Sequence, residues 1–299
     1  MLRFPAGRSL PVSNLDRVVW ADEAITKGAL MRWYVSAARA VVPVLAGRAL
    51  VLTRHPAGVG GPSFHQHDPG DDTPDAVDVA MLPTADGPPA RRLIGSLGSL
   101  LHAVQLGAVG VDAWHSRVDD PDTPDYAVLD LDPAADAPPT ALATLARALR
   151  TELVRRGRDA VLKTSGSRGL HLLVPLEPGA TYEAAAALAE EVATAVTAAH
   201  PDIATVERSK AERPPRTVYV DHLQNARGKT LAAAFCARAK PGAPISTPLA
   251  WEQLRSRMRL DRASVSSPST QVTELRRVWL AAWRAAAPSG VWRPTSATS

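Results

Sequence analysis

Residues Tyr126-Ala-Val-Leu-Asp130-Leu-Asp132-Pro133 form a nearly all-apolar run that ends in two acids. Side chains alternate along a strand, so Asp130 and Asp132 share one face while Leu129 and Leu131 take the other. Two carboxylates at that spacing repel unless a cation lies between them, and oxygen-only donors suit a hard divalent ion. The alternative is a strand end with solvated acids. The apolar run favours a core strand that delivers its acids to a scaffolded site.

Outward from this stretch, the pattern mixes strands and helices without strict alternation. Helices are expected from the Thr26 cap through Ala37, and over Ser96–Leu106, Thr140–Arg155, Ala184–Ala199 and Val272–Ala287. Strands are expected at Ala49–Thr53, Val77–Leu82, Val109–Trp114, Ala160–Lys163, Leu170–Pro175, Thr217–Asp221 and Leu231–Cys236. Most of Pro62–Pro89, which has no Lys or Arg, reads as loop. An α+β (mixed α/β) fold follows, rather than a doubly wound one.

Two further stretches carry chemistry. Lys163-Thr-Ser165-Gly166-Ser167-Arg168-Gly169-Leu170-His171 joins two expected strands, and its glycines and hydroxyls let backbone N–H groups face an anion, with Lys163, Arg168 and His171 adding charge. A plain hairpin with a Gly-rich turn weighs equally on composition. It is not a Walker A loop, because the Gly-Lys-Ser/Thr ending and the helix after it are missing. Nor is Lys163-Thr-Ser-Gly166 the Lys-x-Asp-Gly of an adenylyl-transferring ligase. In Val218-Tyr-Val-Asp221-His-Leu-Gln224-Asn225-Ala-Arg227-Gly228-Lys229-Thr230 an apolar strand again delivers an acid into a basic turn. Asp221 could complete a three-acid set with Asp130 and Asp132, or simply open a turn.

The 299 residues are 45% hydrophobic and 21% charged, enough for a sizeable core. The single Cys236 excludes an internal disulfide framework and a four-cysteine zinc site. The most apolar stretches are broken by Arg48 or by Glu190 and Glu191, so no membrane span is expected. The N-terminus has no secretory signal, and a reducing cytoplasm is the expected compartment. After residue 200 there are sixteen Lys plus Arg against seven Asp plus Glu, within a chain whose net charge is +4. A GC-rich coding sequence explains why 29 of the 34 basic residues are Arg, but not why they gather late. A polyanionic partner, nucleic acid first, fits that asymmetry. Carboxylates for Mg²⁺ or Mn²⁺, an anion cradle and a basic last third together point to phosphoryl or nucleotidyl transfer.

These motifs, with Arg238-x-Lys-Pro-Gly-Ala-Pro-Ile-Ser-Thr-Pro248, Val12-Ser-Asn-Leu-Asp-Arg-Val18, Ile25-Thr-Lys-Gly28 and Leu52-Thr-Arg-His-Pro-x-Gly-Val59, occur in an order that resembles the polymerase domain of bacterial DNA ligase D. That domain belongs to the archaeo-eukaryotic primase superfamily, and the likeness covers about residues 10–260. It implies a primase-like core of two small sheets packed against helices, in one two-lobed catalytic domain over 1–260. A helical extension at 261–287 and a disordered tail at 288–299 complete the expectation.

The resemblance further implies that Asp130, Asp132 and Asp221 hold two divalent ions, Mn²⁺ or Mg²⁺. Lys163, Ser165, Arg168, His171 and Arg238 would hold the triphosphate of an incoming NTP or dNTP, with Gln224 near its sugar. Asn14, Arg17 and Lys27 match positions that grip a DNA 5′-phosphate, and Phe64 and His65 match a pair stacking on the template base. The implied activity is template-dependent gap filling or primer extension in DNA end joining or repair. The implied setting is cytoplasmic and nucleoid-associated, with gapped or recessed DNA as partner and a separate ligase and an end-binding protein acting alongside.

Several positions depart from the family pattern. Arg168 and Arg17 stand where Lys is usual, His65 where a second Phe is, and His67 where Lys is common. Asp112-Ala-Trp114 replaces a His-Pro-Trp-like motif, which sets a carboxylate where an imidazole would face the nucleotide. That departure motivates the alternative of a catalytically weakened DNA-end-binding module that recognises 5′-phosphates and partners a separate ligase. The enzyme reading requires Asp221, far along the chain, to meet Asp130 and Asp132 in space.

Overall fold

The computed structural model describes residues 1–84, 87–255, 260 and 263–287, so the tail expected at 288–299 lies outside the described residues. Two short ribbons open the chain: β1 (Leu2–Arg3) with β2 (Ser9–Leu10), and β3 (Val18–Trp20) with β4 (Ile25–Thr26). Helix α1 (Lys27–Ser36) begins where Thr26 Oγ1 accepts the Ala29 N–H at 3.1 Å. After one residue comes α2 (Ala38–Leu45), a helix absent from the sequence expectation because its run around Val41–Leu45 is apolar without polar contrast. Then follow β5 (Ala49–Arg54), β6 (Phe64–Gln66), β7 (Val79–Leu82), β8 (Ala90–Ile94), α3 (Leu97–Gln105) and β9 (Ala108–Trp114). The second half holds β10 (Tyr126–Pro133), α4 (Ala141–Arg155), β11 (Val161–Thr164), β12 (Leu170–Pro175), α5 (Tyr182–Ala199), β13 (Ala204–Thr205), β14 (Val218–Asp221), β15 (Thr230–Ala232), β16 (Pro248–Leu249) and α6 (Ser269–Ala286).

Two larger sheets organise these pieces. One runs β13-β14-β10-β12-β11-β16; the other runs β15-β9-β5-β8-β7, with β6 also paired to β5. Alternation along β10 divides the core. Ala127, Leu129 and Leu131 join α4 and α5 in one apolar cluster, while Tyr126 and Val128 face a larger cluster shared with α1, α2, α3 and α6. Asp130 and Asp132 continue that second face, where the apolar packing gives out. Trp279 and Trp283 of α6 are buried in the larger cluster with ring centroids 5.7 Å apart.

One expected strand is shorter than its sequence suggests. Leu231–Cys236 stays in strand only to Ala232, because from there the backbone bonds elsewhere: Phe235 takes a left-handed φ of 68° and donates its N–H to Ser246 O at 2.7 Å. The three-residue strand β6 inside the expected loop was too short to show a period.

Arg48 joins the sheets. Its buried guanidinium donates to His115 O at 2.6 Å and to Trp114 O at 3.2 Å, pairs with Asp125, and lies 5.1 Å from the Tyr126 ring centre. Those partners lie at the end of β9, on its connection to β10, and at the start of β10. Asp125→Ala removes a counter-ion from a buried charge and is expected to cost about 3–5 kcal/mol by chemical denaturation. Adding Arg48→Met to that variant should recover part of the loss.

Candidate active site

The site is a row across four strands. Cα register sets Asp130 of β10 opposite Asp221 of β14 on one side and opposite His171 of β12 on the other, and His171 opposite Lys163 of β11. Directly opposed residues share a sheet face, so Asp221, Asp130, His171 and Lys163 point the same way. Asp132, two residues on along β10, faces Tyr219. A distant acid, Asp221, is thereby gathered with Asp130 and Asp132 on one patch.

Their electrostatics show what the patch lacks. Burial first, then the charges of Asp132 and Asp221, push the Asp130 carboxyl up to about 8. Asp132 is raised too, by burial and then by Asp221. Asp130 Oδ1 is buried and accepts no hydrogen bond, with His171 Nε2 3.4 Å away. Asp221 is tied into its own turn, accepting from Leu223 N at 2.8 Å and from Gln224 Nε2 at 2.8 Å. Among the described residues no three His, Cys, Asp or Glu side chains already close into a metal cage. An unsatisfied buried oxygen and acids that raise one another fit a hard divalent cation bound through Asp130 and Asp132, with Asp221 adjoining.

Beside the acids sits the cationic half of the row. Lys163 Nζ is buried and bonds Ala232 O at 2.7 Å, Ser246 Oγ at 2.8 Å and His171 Nδ1 at 2.6 Å. Burial and then Arg238 bring its pKa down to about 7. When Lys163 is charged and donates to Nδ1, the His171 proton sits on Nε2, toward Asp130. Burial and Lys163 hold that ring far below its ordinary pKa, so it stays neutral. Lys163 is therefore an internal strut tying β11 to the other sheet through Ala232.

The Ser165–Gly169 turn between β11 and β12 is both a hairpin turn and a polar cradle. Ser165 Oγ accepts the N–H groups of Ser167 and Gly169, each at 3.1 Å. Gly169 has no room for a side chain, since a Cβ there would lie 2.3 Å from Leu131 O. Arg168 is exposed and lines a cleft of about 500 Å³ with Asp132, Lys210, Arg213 and Tyr219. A second cleft of about 530 Å³ on its other side is mostly apolar and holds none of the three acids. Arg238 reaches the cradle from the other sheet's side, where Asp112 Oδ1 accepts from it at 2.8 Å.

The remaining candidates form two other groups. Asn14, in a left-handed turn at φ 52°, precedes Arg17, whose carbonyl accepts the Lys27 N–H at 2.8 Å. Lys27 Nζ donates to Gln105 Oε1 at 3.1 Å, and burial followed by the Arg17 charge lowers its pKa. On β6, Phe64 lies under the Arg54 guanidinium at 5.1 Å, and His65 Nδ1 is 3.3 Å from Thr53 Oγ1. Successive strand residues face opposite ways, so Phe64 and His65 do not share one stacking platform. Both are exposed, Phe64 at 47%, on opposite sides of the strand.

The family model "LigD, primase-polymerase domain" matches residues 26–279. The chain belongs to the LigD primase-polymerase domain family. Its members are nucleotidyltransferases. The "Multifunctional non-homologous end joining protein LigD" of Pseudomonas aeruginosa is 31% identical over 88% of this chain and 31% of its own length. The Mycolicibacterium smegmatis protein of the same name is 27% identical over 85% and 34%. This chain thus spans about a third of the length of these relatives. A solved "Polymerase Domain from Mycobacterium tuberculosis Ligase D in complex with DNA" superposes with a TM-score of 0.81 at 27% identity, covering 89% of this chain and 95% of that one.

Sequence reasoning missed several supporting residues of this LigD-type site. Asn225, buried, accepts from Val128 N at 2.7 Å and donates back to Val128 O at 2.8 Å, pinning the Asp221 turn to β10. Its place in the Gln-Asn motif was the only available signal. Ser246 was marked only by its place in the Arg238–Pro248 motif and Gln105 by nothing, since each acts on a lysine from a distant segment.

The crowded acids make a pH prediction. Asp130 ionises near 4 when unfolded and near 8 when folded. The folded chain therefore holds the extra proton between those values, and this contribution to stability falls as pH rises. In chelator, Asp130→Asn should melt above wild type at pH 8, with the gap narrowing toward pH 5. Superimposable melting temperatures at pH 8 would show the acids are not crowded.

Proposed function

We propose that this chain is a template-dependent primase-polymerase that extends primers and fills short gaps at DNA ends in end joining or repair, by two-metal nucleotidyl transfer. The observation that carries the reading is the register that lines Asp221, Asp130, His171 and Lys163 in one row. Asp130, Asp132 and Asp221 would hold two divalent ions, Mn²⁺ or Mg²⁺. When bound, these supply charge neutralisation at the triphosphate and activation of the primer 3′-hydroxyl.

The chain's own groups do the positioning. The Ser165–Gly169 turn offers the backbone N–H groups of Gly166 and Arg168, which its internal hydrogen bonds do not use, and Arg168 and Arg238 offer guanidinium forks, to the triphosphate of an NTP or dNTP. His171, kept neutral with Nε2 toward Asp130, orients that carboxyl, and Lys163 holds His171 in place. Gln224 steadies Asp221 from the side assigned to the sugar. Arg17 and Lys27 supply the charge and Asn14 an amide for a 5′-phosphate on gapped or recessed DNA. Phe64 offers a stacking face to a template base, with His65 behind it.

We place the protein in the cytoplasm with the nucleoid, acting with a separate ligase and an end-binding protein. No described helix is long and apolar enough to cross a membrane. The end-binding-only alternative is not favoured, because all three acids are present and adjoining.

Primer extension on a gapped, 5′-phosphorylated duplex with Mn²⁺ tests the reading. Wild type should incorporate nucleotides, and Asp130→Ala/Asp132→Ala should lose about a thousandfold in rate. Wild-type rates in the double variant would remove the metal assignment. Salt-sensitive end binding without incorporation under any metal would favour the alternative.

A further inference from the structure

Asp112 sits in mid-strand on β9, paired with Val51 of β5 and Ala232 of β15. Its carboxylate nevertheless belongs to the cradle of the other sheet. Asp112 Oδ1 accepts from Arg238 Nη1 at 2.8 Å, with the two side chains only 18% and 28% exposed. Arg238 in turn rests on Gly166, where the backbone has φ 72° and a Cβ would come within 2.4 Å of Arg238 Cγ. Arg238 thus lays its aliphatic stem on the Ser165–Gly169 turn of one sheet while its guanidinium is held by a carboxylate from the other.

An arginine fork recognises carboxylate and phosphate with the same planar set of donors. An anion arriving at Arg238 must therefore compete with Asp112, and it stays beside that negative charge after binding. We infer that Asp112 is a specificity-determining residue that acts through Arg238 as a built-in competitor against bound phosphate. The inference rests on the polymerase reading and deepens it by naming what the cradle selects. An anion held chiefly by Arg238 is rejected, whereas one long enough to engage the Ser165–Gly169 turn and Arg168 as well is retained. The competitor thus favours a triphosphate over the shorter pyrophosphate that the reaction releases, and it aids that product's departure.

The test measures binding of inorganic tripolyphosphate and of pyrophosphate by calorimetry, in chelator, to the full chain. Asp112→Asn should tighten pyrophosphate by about tenfold and tripolyphosphate by less, so that the discrimination shrinks. With Arg238→Gln as background the same substitution should change neither affinity by more than about twofold. In primer extension, Asp112→Asn should be inhibited by pyrophosphate at about a tenth of the concentration needed for wild type. Asp112→Ser, which also removes the charge, should move every value in the same direction and serves if the Asn variant does not fold.

Unchanged or weaker polyphosphate binding in Asp112→Asn overturns the inference, and so does a gain that survives Arg238→Gln. Wild-type primer extension is scored separately. Its presence beside unchanged binding leaves the polymerase reading standing, whereas its absence counts against that reading instead.

Discussion

Antiparallel pairing of β10 with a strand on each side is the constraint on which the site depends. A one-residue slip of β14 would turn Asp221 to the helix-covered face and bring Val220 to the acid row. The register is secured from several directions. Leu129 and Leu131 are fully packed against α4 and α5, and Asn225 bonds both backbone groups of Val128. The buried acids can therefore adjoin even though their mutual repulsion opposes it, because the apolar face of the same strand holds them there.

The two sheets contribute unequally. One supplies the acid row and the cradle; the other supplies the carboxylate that clasps Arg238, the exposed Phe64, and the wall beside the Lys27 cluster. Few polar links join them near the site, and each is buried or half-buried: Lys163 to Ala232 O, Arg238 to Asp112, and Arg48 to Asp125 with the carbonyls around His115. Charges held this way are costly to leave unpaired, so these links make the relative placement of the sheets specific as well as stable. The same placement lets a departure from the family pattern at Asp112 be accommodated. The carboxylate is taken up by Arg238, and what changes is the charge that an incoming anion meets.

Much of the chemistry was legible in the chain before any coordinates. Alternation alone set Asp130 and Asp132 on one face, and the Thr26 cap marked the start of α1. The Gly-rich stretch after Lys163 was readable as a turn, and Gly166 and Gly169 are indeed positions where backbone conformation or a close approach leaves no room for a side chain. Less legible was where regular structure stops. Leu231–Cys236 has a strand's composition, but its backbone groups after Ala232 are claimed by the Ser246 segment.

Local patterning, then, determined the elements, the acids and the turn, because period, capping and glycine act over a few residues. Tertiary structure alone decided that Asp221 lies across from Asp130, that Lys163 is a strut, and that Asp112 is paired. Each of these depends on which strands become neighbours and in what register. That choice is set by burying two faces of a sheet at once, a condition that no short window of sequence contains.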